Sequence, residues 1–243
     1  MELVAPLLAA LASTGFAIDL GLAWRRRPRS HAGMWTLAMG AYALATWALV
    51  LGLGFGWGSL NFRLFYWLGA IVNIPFLAAG SVYLVLGPFA GRRFAIGVWA
   101  WSALGAAATW LAPLKGATET DGIPEGKELF DFIIDVGGLS LPGPRVFAAF
   151  AGGVATLIIV VLAGYSAMKF WKTNRRLAAG NWLIVLGTLA PAFGGSLTAL
   201  GEAAGFAVAL LIGAVLLWAG YRVATGSRRP GDEPIADALR KSD

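Results

Sequence analysis

Between Arg63 and Pro88 the sequence reads RLFYWLGAIVNIPFLAAGSVYLVLGP, with no charge after Arg63. About 20 apolar residues suffice for a helix to cross a ~30 Å hydrocarbon core, so this run is long enough to span a membrane. The chain contains six more runs of the same character. Inside hydrocarbon each backbone N–H and C=O must find a partner within its own segment, which leaves the helix as the form such runs take. The expectation is an all-α, polytopic integral membrane protein with seven transmembrane helices at about 4–24, 34–54, 64–87, 94–111, 146–168, 181–200 and 203–223. Residues 1–224 then form one seven-helix bundle.

Charge sets the threading. Charged residues make up 13% of the chain, against about 25% in an ordinary soluble domain, and 15 of its 19 Lys and Arg fall into four groups along it. These are Arg25, Arg26, Arg27 and Arg29; Arg92 and Arg93; Lys169, Lys172, Arg175 and Arg176; and Arg222 with the basic residues of the tail. Each second connection is basic, the pattern of loops retained in the cytoplasm. The amino terminus is therefore expected outside and the carboxyl terminus in the cytoplasm of a multi-pass cell-membrane protein. The first helix carries Glu2 before it and RRRPR after it, the reverse of a cleaved signal. The +6 net charge is thus accounted for by topology, without nucleic acid as a partner.

The one long connection, 114–144, has six acids against Lys115 and Lys127 and fits the extracytoplasmic face. Within it, Glu128, Asp131 and Asp135 fall on one side of a helix and Phe130, Ile133 and Ile134 largely on the other. That spacing predicts a short amphipathic helix lying on the membrane surface or folded over the mouth of the bundle. Residues 225–243 read as a polar cytoplasmic tail. Tryptophans at 24, 57, 110, 171 and 182 mark headgroup-level boundaries.

Small residues supply close helix contacts where lipid is as apolar as leucine. They recur at Gly201, Gly205, Ala209 and Gly213, at Ala148, Gly152 and Thr156, and at Gly187, Pro191 and Gly195. Their simplest role is packing within the bundle, with a homo-oligomer seam as the alternative.

Few polar groups lie at membrane depth. Asn73 is the foremost, because an amide without a partner in hydrocarbon costs several kcal/mol. It shares a side of its helix with Tyr66 and Gly69. Pro75 has no N–H and its ring clashes with the carbonyl of Ile71, predicting a kink at the same level. Tyr66 and Asn73, with Tyr42 and Thr46 of the preceding helix, are the candidate ligand-binding residues. The plainer reading of Asn73 is a hydrogen bond to a Thr or Tyr of a neighbouring helix. Asp19 is a candidate functional acid, or else pairs with an Arg of the next loop.

Absences narrow the function. With no Cys and one His, thiolate metal sites, cysteine nucleophiles and bis-histidine haem are excluded, and no cofactor or metal is expected. Retinal proteins and heptahelical receptors share the helix count, but no Lys lies in any span to form a Schiff base. Serines such as Ser81 have no nearby base. The leading expectation is a non-catalytic membrane protein acting by association, as an accessory subunit of a membrane complex or a ligand-responsive component. Its partners are membrane lipids and other membrane subunits or copies of itself. The alternatives are a small-solute transporter or channel with its site at Asn73 and Pro75, and an intramembrane lipid-modifying enzyme.

Overall fold

The computed structural model describes residues 3–115, 122–198 and 203–226. Glu202, Gly201, residues 116–121 and most of the tail, 227–243, lie outside them, as do the surroundings of Gly195 and the side chain of Ser196.

The described chain is almost wholly helical. Helices α1 (Val4–Arg26) and α2 (Ser30–Phe55) are followed by α3 (Ser59–Tyr66), a π-helical segment (Trp67–Val72) and α4 (Asn73–Leu111). A single turn, α5 (Gly126–Leu129), precedes two strands, β1 (Ile133–Val136) and β2 (Leu139–Pro142). Helix α6 (Pro144–Phe150), a second π segment (Ala151–Ala155) and α7 (Thr156–Phe170) form one rod, and α8 (Arg175–Thr198) and α9 (Ala203–Thr225) close the chain. Among the described residues six helical stretches are long and apolar enough to cross a membrane. The all-α membrane class holds.

The count is six because residues 59–111 run as one helical stretch of 53 residues. At ~1.5 Å per residue a straight helix of that length would be about 80 Å long. It is not straight: Gly87 adopts φ 88°, ψ 176°, a conformation open only to glycine, and the chain folds back there. The two arms meet along their length. Trp67 donates to the Ser102 carbonyl at 3.1 Å, the Phe76 and Trp99 rings meet edge to face at 4.8 Å, and the Tyr83 side chain lies against Gly91. Arg63 closes the open end, donating to the carbonyls of Thr109 and Ala112. These carbonyls end α4 and have no partner within it, so a cation is favoured there.

Neighbours form a closed ring, α1 to α2, α2 to α4, α4 to α7, α7 to α8, α8 to α9 and α9 back to α1. Polar ties cross between them: Ser13 with Thr46, Trp47 to Thr14, Trp35 to the Leu77 carbonyl, and Asn181 to Ser166. The α8–α9 pair packs closest. Gly180 and Gly187 lie against Ala224 and Leu217, and Gly194 against Ala209. Gly187 and Gly213 of the predicted seams meet here. The predicted 146–168 helix departs from its expected packing: a Cβ at Gly152 or Gly153 would meet nothing within 4 Å, so those residues leave space instead of closing it.

The long connection is also corrected. Helix is confined to α5, while Ile133 to Val136 pairs antiparallel with Leu139 to Pro142 around Gly137 and Gly138, whose φ values are 62° and 84°. Two positive-φ glycines make a tight turn whose twist matches paired strands. The connection is a strap pinned to the bundle. Phe130, fully buried, sits between Phe62 and Tyr66, Leu129 accepts from the Lys115 N–H, and Trp57 donates to the Gly122 carbonyl at 2.9 Å. Trp57 is therefore buried beneath the strap and not a headgroup marker.

Candidate functional site

The distortion expected at Pro75 takes the form of the first π segment. The Asn73 N–H bonds back five residues to Leu68 instead of four. This wider turn shifts the carbonyls beneath the Pro75 ring, and the helix continues through it with no non-helical residue before Gly87. Single π turns inside α-helices concentrate at functional positions, because the extra residue displaces side chains that a regular turn would align. The second π segment, Ala151–Ala155, faces the first across the α4–α7 junction.

Between them lies a cavity of about 340 Å³. Its walls come from α2 (Tyr42, Ala45, Thr46), the first π segment and its flanks (Phe65, Tyr66, Gly69, Asn73), the second (Gly152), α8 (Thr188, Pro191) and α9 (Phe206, Leu210). Ile123 to Gly126 of the strap cover one end. All four residues picked out by spacing, Tyr42, Thr46, Tyr66 and Asn73, line this one space.

Their hydrogen bonds separate them. The Tyr42 hydroxyl donates to the Leu210 carbonyl at 2.8 Å, tying α2 to α9. Thr46 donates to the carbonyls of its own helix and lies 3.1 Å from the Ser13 hydroxyl, and Thr188 donates to Ile184 at 2.8 Å. Asn73 differs. It is 5% exposed, and its side-chain oxygen is buried with no partner, so the interhelical bond of the plainer reading is not made. A buried unsatisfied amide costs roughly 1–3 kcal/mol, an expense native proteins seldom leave without a use.

The rim carries one carboxylate. Glu125 is held by Lys127 at 2.7 Å, and its hydrogen bond and charge raise the Lys127 pKa above the usual lysine value. Among the lining residues there is no Lys, Arg or His. Among the described residues no three His, Asp or Glu side chains come together to hold a metal ion.

No known protein family and no curated protein matches this chain.

Asp19 lies elsewhere, in a crevice between α1 and α9. The Trp218 indole donates to it at 2.9 Å and Arg222 approaches to 3.3 Å. The pairing expected with the next loop is thus made with α9. Spacing missed the far wall of the cavity, namely Gly152, Pro191 and Phe206, and, although it allowed a segment folded over the mouth of the bundle, it missed that segment's two strands. The adjacent Gly152 and Gly153 carried a usable signal, since glycine pairs within an apolar helix weaken regular winding.

Proposed function

We propose that this protein is a non-catalytic, ligand-responsive component of the cell membrane that works by association with other membrane subunits. Its seven spans are threaded with the amino terminus outside. The observation that carries the reading is the unpartnered, buried amide of Asn73 on the wall of a 340 Å³ cavity. That volume is at the lower end of small-molecule sites, and a mostly apolar lining with a few placed polar groups is their usual character. Two abutting π segments and a strap across one end support a space kept open for an occupant over a packing fault. No acid, base and nucleophile converge on it, which argues against the lipid-modifying enzyme. Transport through this space is weakened by the absence of any buried acid for proton or sodium coupling among the lining residues.

Association is supported by the bundle's extensive apolar outer surface only as far as lipids. The ligand part is open to direct test. The full chain, purified in mild detergent, is extracted with organic solvent and the extract compared by mass spectrometry with that of Gly152→Leu. Gly152 lines the cavity and is exposed, and a Cβ there meets nothing within 4 Å, so a leucine side chain has room to take up that space. A small molecule near one per chain in the wild type and missing from the variant is the expected result. Identical extracts from two equally folded proteins would remove the reading.

A further inference from the structure

The donors and acceptors on the cavity wall restrict what it can hold, given that it is a binding site as proposed above. Tyr42, Thr46 and Thr188 have each already donated their hydroxyl proton to a backbone carbonyl, at 2.8, 2.9 and 2.8 Å. What they offer an occupant is lone pairs. Asn73 adds a buried oxygen with no donor. The wall therefore offers acceptors at these groups and donors at the Tyr66 hydroxyl, which makes no hydrogen bond among the described residues, and at the Asn73 amide nitrogen, so an occupant that both donates and accepts suits it.

Charge is disfavoured for that occupant. An ion moved out of water needs a counter-ion, and the single carboxylate of the lining, Glu125, is engaged by Lys127 at the strap. An anion would find no cation among the lining residues, and a buried ammonium would have to displace Lys127. The remaining walls, Phe65, Ile74, Phe206 and Leu210, favour an apolar body, and the Phe65 and Phe206 rings meet edge to face at 6.4 Å.

We infer that the cavity takes an uncharged, mostly apolar molecule bearing a hydroxyl group, held with that hydroxyl at Asn73. A hydroxyl suits the amide in either sense. A half-turn about its last torsion exchanges the Asn73 oxygen and nitrogen, and a hydroxyl donates to the first or accepts from the second. A ketone or ether of the same shape satisfies only the nitrogen. Two fused aromatic rings are a reasonable size for a space at the lower end of ligand volumes.

The test uses the full chain in mild detergent and four probes of one shape: naphthalene, 2-naphthol, 2-naphthoate and 2-naphthylmethylammonium. Dissociation constants are measured by equilibrium dialysis for wild type, Asn73→Leu and Gly152→Leu, with Asn73→Ala and Gly152→Ala as substitutes should a leucine variant fail to fold. One hydrogen bond in a dry site is worth about tenfold in affinity. The expected result is 2-naphthol binding about tenfold more tightly than naphthalene and more tightly than either ion. In the Asn73 variant the two neutral probes become equal, and in the Gly152 variant both are lost or weakened. Should an ion bind as well as 2-naphthol, or the naphthol preference survive in the Asn73 variant, while the Gly152 substitution still abolishes binding, the hydroxyl assignment falls and the site stands. Binding that no Gly152 substitution changes, or no binding of any probe, overturns the site itself.

Discussion

Asn73 and Arg63 lie ten residues apart on the same rod and have opposite energetic roles. Asn73 holds an unsatisfied buried oxygen, so replacing it with the near-isosteric leucine removes a desolvation penalty. Asn73→Leu is expected to raise the unfolding free energy of the empty protein by about 1 kcal/mol, and with it the melting temperature, while it weakens binding of a hydroxyl-bearing probe. Stability loss in that variant would mean that the amide has a structural partner. Arg63 binds two carbonyls that the end of α4 leaves open. Arg63→Met should cost about 1–2 kcal/mol, with its partial exposure discounting the full worth of two charged hydrogen bonds. Arg63→Lys should recover only part of this, because an ammonium cannot span both acceptors as the planar fork does. Thermal melts of the three variants in one detergent settle both points. Asp19 belongs with these structural groups by its contacts, and its bond from Trp218 survives in Asp19→Asn, so that change is expected to be small.

At the scale of the element, the helices were legible and the strands of the strap were not, for reasons of period and length. A run of about 20 uncharged residues has one solution in hydrocarbon, and a polar group inside it stands out. Asn73, Tyr66, Tyr42 and Thr46 were found together because a helical repeat carries them to one side. The strap residues obey no such constraint. IIDVGGLSLP contains apolar positions that fit a helical face, yet its Gly137–Gly138 pair between apolar flanks is also a hairpin signal, and the structure follows the turn. The π segments had no sequence signature beyond Pro75 and the Gly152–Gly153 pair. Two glycines test these elements. At Gly87, alanine would have to adopt a backbone region reserved for glycine, at a cost of about 1–3 kcal/mol, and Gly87→Ala should lower the melting temperature accordingly. At Gly126, a Cβ would run into the Tyr66 ring, so Gly126→Val should lift the strap from the cavity. In a Gly152→Cys background, a water-soluble maleimide is then expected to react severalfold faster. An unchanged rate would show that the strap does not govern access.

At the scale of the whole molecule, the open quantity is how many times the 53-residue stretch crosses the bilayer. Its length of about 80 Å exceeds a ~30 Å core more than twofold, and its arms pair in order outward from Gly87, through Tyr83 with Gly91, Phe76 with Trp99, Trp67 with Ser102 and Arg63 with Thr109. A hairpin of that kind enters and leaves on the same side. It returns Arg92 and Arg93 to the end of the bundle that carries the Arg25–Arg29 and Lys169–Arg176 turns, which is the arrangement that a cytoplasmic excess of cations requires. One crossing would instead separate these basic groups across the membrane. The chain has no cysteine, so single substitutions report position without background. With an impermeant maleimide applied to intact cells, Arg27→Cys, Ala90→Cys and Lys172→Cys are expected to stay unlabelled until the cells are opened. Gly58→Cys and Glu128→Cys should label at once. Labelling of the Lys172 position, with Glu128 and Arg27 both protected, would undo the hairpin crossing and leave six spans.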